Sequence, residues 1–128
     1  MVRSGGIGAA LLACCGILVG CGGQSAADQV RSTITAFAQA TVNGDARTAC
    51  TLVAPGAFTT TASCVRTERA EMGRVTEHEQ ALLRAIKFTS VTVTGRTARA
   101  SLRLGTRAGH ASLRDYDGRW LLLRSAVG

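Results

Sequence analysis

From residue 28 onward the apolar positions recur first at helical spacing and then, past Ile86, at every second residue. Val30, Ile34, Phe37, Ala38 and Thr41 form one stripe of a helix. Asp28 lies in its first turn, where a carboxylate favours the helix dipole, and Asn43-Gly44 is its stop signal. Asp45 predicts the cap of a second helix in which Ala46, Ala49, Cys50 and Val53 share a face. Pro55-Gly56 ends it, and the Thr-rich stretch Ala57–Ser63 reads as a loop or a single turn. Val65–Ile86 reads as one longer helix. Its apolar residues Val65, Met72, Val75, Leu82, Leu83 and Ile86 fall within about 100° of arc, and Gly73 weakens it near the middle.

From Lys87 the alternation has period two. Gly95-Arg96 predicts a two-residue turn with glycine first, pairing Val93 with Ala98 and Val91 with Ala100. Val91, Val93, Ala98, Ala100, Leu102 and Leu104 then share one face. Thr92, Thr94, Thr97, Arg99, Ser101 and Arg103 share the other. Asp117-Gly118 is a second hairpin signal, pairing Asp115 with Trp120 and Leu113 with Leu122. Ala111, Leu113, Trp120 and Leu122 face one way; Arg114, Tyr116, Arg119, Leu121 and Leu123 face the other. Three helices ahead of four antiparallel strands predict an α+β domain, its N-terminal helices packed on one face of a four-stranded antiparallel sheet.

The first twenty residues follow a different rule. Arg3 supplies a positive charge, and Gly5–Val19 holds no charged residue. This is the pattern of an export signal, too short for a spanning helix, which needs about 20 apolar residues. Its end, Leu18-Val19-Gly20-Cys21, resembles the lipobox of bacterial lipoproteins. Leu11-Leu12-Ala13-Cys14 fits the same pattern, but cutting there leaves a very short apolar run and puts the apolar Cys15–Gly20 where a tether belongs. The resemblance implies residues 1–20 as a lipoprotein signal peptide, Cys21 as the lipidated residue, residues 21–27 as the tether and residues 28–128 as a single domain. It also implies attachment to the extracytoplasmic face of a cell membrane through the N-terminal lipid. The competing readings are a plain secretory signal cut nearby or an uncleaved anchor.

Five cysteines occur. Cys14 and Cys15 leave with such a signal and Cys21 takes the lipid, so Cys50 and Cys64 remain as an even pair for an oxidising compartment. A bridge between them closes a loop of about 15 residues, worth ~3 kcal/mol in the chain-entropy picture. Two thiols without a nearby Cys or His pair make a poor metal site, and no metal or other cofactor is expected. The chain carries 15 basic and 8 acidic residues, a formal charge of +7, and all the basic residues but Lys87 are arginines. A basic protein at a bilayer is drawn to anionic headgroups and wall polymers. Nucleic acid is not expected as a partner, since no reading motif appears and aromatic platforms are scarce.

Taken together, the Val30–Thr41 helix, Asn43-Gly44-Asp45-Ala46 leading into Ala49-Cys50-Thr51-Leu52, Cys64, the Val91–Ala100 hairpin and Asp117-Gly118-Arg119-Trp120-Leu121 resemble small lipoproteins of actinobacterial type. Those proteins carry a nuclear-transport-factor-2-like (SnoaL-like) cone domain. The resemblance implies a bent sheet wrapped on a helix around a conical pocket, with Trp120, Leu122 and Leu113 meeting Phe37 and Ile34. Phe37, Leu113, Trp120 and Leu122 are therefore the candidate pocket. Such folds serve isomerases, dehydratases, cyclases and non-catalytic proteins alike, so the fold does not transfer an activity.

Candidate chemistry is sparse. Asp115 is the carboxylate on the apolar sheet face, and a pocket acid beside apolar walls can serve as a base; its place next to the turn argues for a solvated rim position instead. Glu68 and Glu79 fall in the apolar stripe of the long helix, about 16 Å apart along it, too far to act as a pair. Pairing with sheet arginines is the expectation for both. His78 and His110 pattern onto polar faces, and Glu77-His78-Glu79 lacks the second histidine of a zinc-protease motif. Neither a nucleophile elbow nor a phosphate-binding glycine loop occurs. The strand face with Arg99 and Arg103 reads as solvated, or as a surface for anionic headgroups or glycans. The reading is a membrane-anchored lipoprotein binding a small apolar ligand or an envelope protein without catalysis. The alternative is a small isomerase- or dehydratase-type enzyme using a cavity carboxylate, either Asp115 with Tyr116 or a helix carboxylate.

Overall fold

The structure, a computed structural model, describes residues 24–127, with side chains described as far as Leu123. Signal, lipobox and Cys21 lie outside the described residues. Helix α1 (Ala26–Asn43) starts inside the stretch read as tether, because the Ser25 side chain accepts from the Asp28 N–H and caps it there. It ends at Gly44, whose φ of 69° is the left-handed cap conformation. Helix α2 (Ala46–Thr51) is capped by Asp45. The hydroxyl and N–H of Thr48 both donate to that carboxylate and hold its pKa below the usual aspartate value.

The long helix expected over Val65–Ile86 is two helices. Helix α3 (Thr61–Met72) begins on the Thr60 cap, within the stretch read as loop, and ends at Gly73. Helix α4 (Glu77–Arg84) restarts on a capping box in which the Thr76 hydroxyl accepts from the Glu79 N–H and the Glu79 carboxylate accepts from the Thr76 N–H. A glycine followed three residues later by Thr-x-x-Glu is both a stop and a start. The shared apolar stripe masked it.

Strands β1 (Lys87–Thr94), β2 (Thr97–Leu104), β3 (Arg107–Tyr116) and β4 (Arg119–Val127) form an antiparallel meander in sequential order, so the domain is α+β with helices before the sheet. Val93 pairs with Ala98 and Val91 with Ala100; Leu113 pairs with Leu122 and Asp115 with Trp120. These are the registers the two turns dictate. Gly95 alone of its turn pair has positive φ, whereas Asp117 and Gly118 both do, the glycine-first and Asp-Gly turn chemistries respectively.

One apolar cluster joins Val30 and Ile34 of α1 to Ala98, Ala100, Leu102, Leu104, Ala111, Leu113, Trp120 and Leu122 of the sheet. Phe37, Leu82, Leu83 and Ile86 pack against it. Two irregularities bend the pattern, at Phe88/Ser90 in β1 and opposite Ser112/Leu113 in β4. The second is a bulge, since Ser112 pairs with Arg124 while Leu113 pairs with Leu122. Leu123 is the extra residue.

The connection after α2 adds to the sheet. Val53 bridges Leu122 in parallel, with the Leu122 N–H donating to the Leu52 carbonyl and the Ala54 N–H to the Leu122 carbonyl, both at 2.8 Å. This covers the outer edge of β4, which would otherwise present unpaired backbone groups. It also brings α2 and α3 over Leu121, which is 6% exposed rather than solvated on the polar face. Cys50 and Cys64 join these two helices, their sulfurs 2.10 Å and their Cα atoms 6.1 Å apart.

Candidate functional site

A groove of about 450 Å³ opens where α1, α3 and β4 meet. The bulge puts Leu122 and Leu123 on its wall together, although neighbours on a regular strand point to opposite faces. Phe37 contributes from α1, Val53 and Phe58 from the connection between α2 and α3, and Thr67, Glu68 and Glu71 from α3. The β-bridge at Val53 and the Cys50–Cys64 link fix the connection that carries Val53 and Phe58.

Of the four expected pocket residues, Phe37 and Leu122 line this groove. Leu113 and Trp120 do not: at 0% and 6% exposure they belong to the filled core between α1 and the sheet. The sequence placed all four on one apolar surface, but it could not show which part of that surface α1 fills.

Asp115 lies outside the groove, in an open recess of about 360 Å³ shared with Arg96, Arg114 and Tyr116. Its carboxylate accepts from the Gly118 N–H at 2.6 Å and so closes the β3–β4 turn. Its backbone N–H donates to the Arg96 carbonyl, and the Arg96 guanidinium donates to the Asp115 carbonyl. The bond to Gly118 gives Asp115 a structural role at the turn.

Two acids line the groove, Glu68 and Glu71, and Glu68 is the less exposed of them. Half-buried, it has its pKa raised above the ordinary glutamate value, chiefly by desolvation and secondly by the negative charge of Glu71 one turn along α3. Both carboxylates lie in the C-terminal half of α3, where the helix dipole disfavours them. The expectation that Glu68 and Glu79 pair with sheet arginines fails among the described residues, whose ion pairs are Arg31–Asp28 and Arg96–Asp117. Glu79 is committed to its capping box instead. The sequence singled out Glu68 by its place in an apolar stripe. Missing from that reading was the wall it would face, since Val53, Phe58 and Leu123 arrive there through the β-bridge and the bulge.

A smaller recess lies between α4 and the sheet, lined by Leu82, Leu83, Leu104, Val75, Glu79 and Arg107. His78 and His110 are both exposed. No group of three His, Cys, Asp or Glu suited to a metal occurs among the described residues. No helix among them is long and apolar enough to cross a membrane.

Comparison with protein-family models, with curated proteins and with solved structures finds no match to this chain.

Proposed function

We propose that this chain is a lipoprotein anchored through Cys21 to the extracytoplasmic face of a cell membrane, and that its domain binds a small, largely apolar ligand in the groove between α1, α3 and β4. The single observation that carries the binding role is the wall itself. Phe37, Val53, Phe58, Leu122 and Leu123 come from three separate parts of the chain onto one open concavity, whose exposed lining also includes Thr67, Glu68 and Glu71 and is more polar than apolar; apolar side chains beside convergent polar groups are the usual form of a small-molecule site. Support for the anchor comes from the Leu18-Val19-Gly20-Cys21 sequence and from the cysteine pair, which suits an oxidising compartment.

One observation favours a second reading. Glu68 is a half-buried carboxylate on that wall whose pKa is raised by desolvation, and a pocket acid shifted in this way can serve in proton transfer. On this reading the domain is a small isomerase- or dehydratase-type enzyme, with Glu68 rather than Asp115 moving the proton.

Both parts can be tested. Labelled fatty acid fed to an expressing bacterium should travel with the wild-type protein and not with Cys21→Ser; label absent from the wild type sinks the anchor. The neutral apolar dye N-phenyl-1-naphthylamine should brighten on binding the purified protein and lose that response in Leu123→Asp. The substitution is tolerable because Leu123 is 38% exposed. An unchanged response in the variant sinks the groove as the binding site. Glu68→Gln separates the readings, since it leaves dye binding in place and abolishes only a proton-transfer activity.

A further inference from the structure

The charge of this protein is segregated by fold. Residues 24–86, the helical half, hold six arginines and six acids, whereas residues 87–128 hold eight basic residues and two acids. Neither of those two acids lies on the outer face of the sheet, the face away from α1. Asp115 pairs with Trp120 on the inner side, and Asp117 sits in the turn, 3.9 Å from Arg96. Along β1, β2 and β3 the outer face carries Lys87, Arg99, Arg103 and Arg114, all exposed, with His110 and short hydroxyl residues between them; along β4 the same face holds Leu121, buried beneath α2 and α3.

The register sharpens the point. Lys87 stands directly opposite Arg103 in the ladder, and like charges facing each other across a strand pair destabilise it. Arg99 lies between Thr92 and Ser112, and Thr97 and Ser101 fill the neighbouring positions. A sheet face kept soluble only by charge would mix both signs. Over β1–β3 this one is cationic, and no ion pair among the described residues neutralises it.

We infer that the outer face of the sheet docks on the anionic lipid surface of the membrane. Over β1–β3 the face is one-signed, and its partner is an extended layer of phosphate headgroups that relieves the Lys87–Arg103 repulsion. The inference rests on the anchored reading. Cys21 lies so close before the Ser25 cap that the domain starts within roughly 15 Å of the lipid, at ~3.6 Å per residue. At that distance headgroup attraction acts on a domain already held at the surface, so it orients the protein as well as binding it.

The test uses the full chain isolated from the membranes of an expressing bacterium and placed on vesicles. One set is phosphatidylcholine alone; the other contains about one third phosphatidylglycerol. An arginine-selective dicarbonyl reagent followed by peptide mass spectrometry reads each guanidinium separately. On the anionic vesicles, labelling of Arg99, Arg103 and Arg114 should slow by about threefold or more relative to neutral vesicles, and about 0.5 M salt should abolish the difference. Arg47, Arg66 and Arg74 on the helical side should label equally on both. The exposed double variant Arg99→Gln/Arg114→Gln should lose the protection at Arg103, while Arg66→Gln/Arg74→Gln should keep it. Equal labelling of the outer-face arginines on the two vesicles overturns the inference, as does protection spread evenly over the helical arginines. Protection by soluble polyglycerol phosphate but not by vesicles also overturns it, in favour of a wall polymer. A chain that fails to float with neutral vesicles indicts the anchor instead, so the two failures are distinguishable.

Discussion

The Thr33 hydroxyl donates to the backbone carbonyl of Trp120 across 2.9 Å, tying the middle of α1 to a strand 87 residues further on. The bond fixes how α1 sits along the sheet, beside the Val30 and Ile34 side chains that fill the core. Thr33→Val keeps the shape and removes the donor. It should cost about 1 kcal/mol in urea unfolding, and Thr33→Ser should recover most of the loss. A neutral Thr33→Val would show that side-chain packing alone sets the position of α1.

Leu113, at 0% exposure, is the largest fully buried side chain of the sheet among the described residues. Leu113→Ala should cost about 2–5 kcal/mol with little effect on dye binding in any fraction that stays folded. Loss of binding in folded protein would return Leu113 to the ligand site that the sequence assigned it.

Gly105 opens the β2–β3 turn with φ of +66°, and a Cβ there would stand 3.0 Å from the Leu82 side chain. The backbone conformation dominates, because the Leu82 methyl is the free end of a flexible chain. Gly105→Ala should therefore cost about 1–2 kcal/mol, and adding Leu82→Ala should not restore stability. Recovery in the double variant would make the close approach the cause.

Glu68 predicts a pH dependence with a definite sign. Its pKa is higher folded than unfolded, so between those two values the folded chain binds more protons. Its contribution to stability is thus greatest at acid pH and falls as pH rises through the ordinary glutamate value to the raised one. Glu68→Gln should remove that slope and raise the melting temperature at neutral pH. A variant less stable than wild type at pH 7 would contradict the desolvation account.

The Cys50–Cys64 link should appear as joined peptides in non-reducing mass spectrometry. Its removal in Cys50→Ala/Cys64→Ala should cost ~3 kcal/mol for a loop of this length. It should also loosen the Val53–Phe58 wall, lowering dye affinity more than Thr33→Val does at matched stability. Equal dye affinity in the two variants would separate the link from the groove.

What the residues determined by themselves was local. Gly95-Arg96 and Asp117-Gly118 admit few turn geometries, and a turn of known geometry fixes every pairing along its hairpin; that is why Val91–Ala100 and Leu113–Leu122 were legible. Asp45 and Asn43-Gly44 marked helix ends for the same reason, since capping depends on neighbours in the chain. The break at Gly73 was equally local but hidden, because a 3.6-residue stripe continues in phase across two helices as well as along one. Tertiary structure decided the rest. Whether Leu113 fills the core or lines a groove depends on where α1 stops covering the sheet. Leu121 is buried and Leu123 faces the groove because the Leu52–Ala54 segment pairs with the edge of β4 and a bulge opposite Ser112 and Leu113 shifts the alternation. Contacts between segments so far apart in the chain depend on the shape of the whole packed domain, and no short window of sequence contains it.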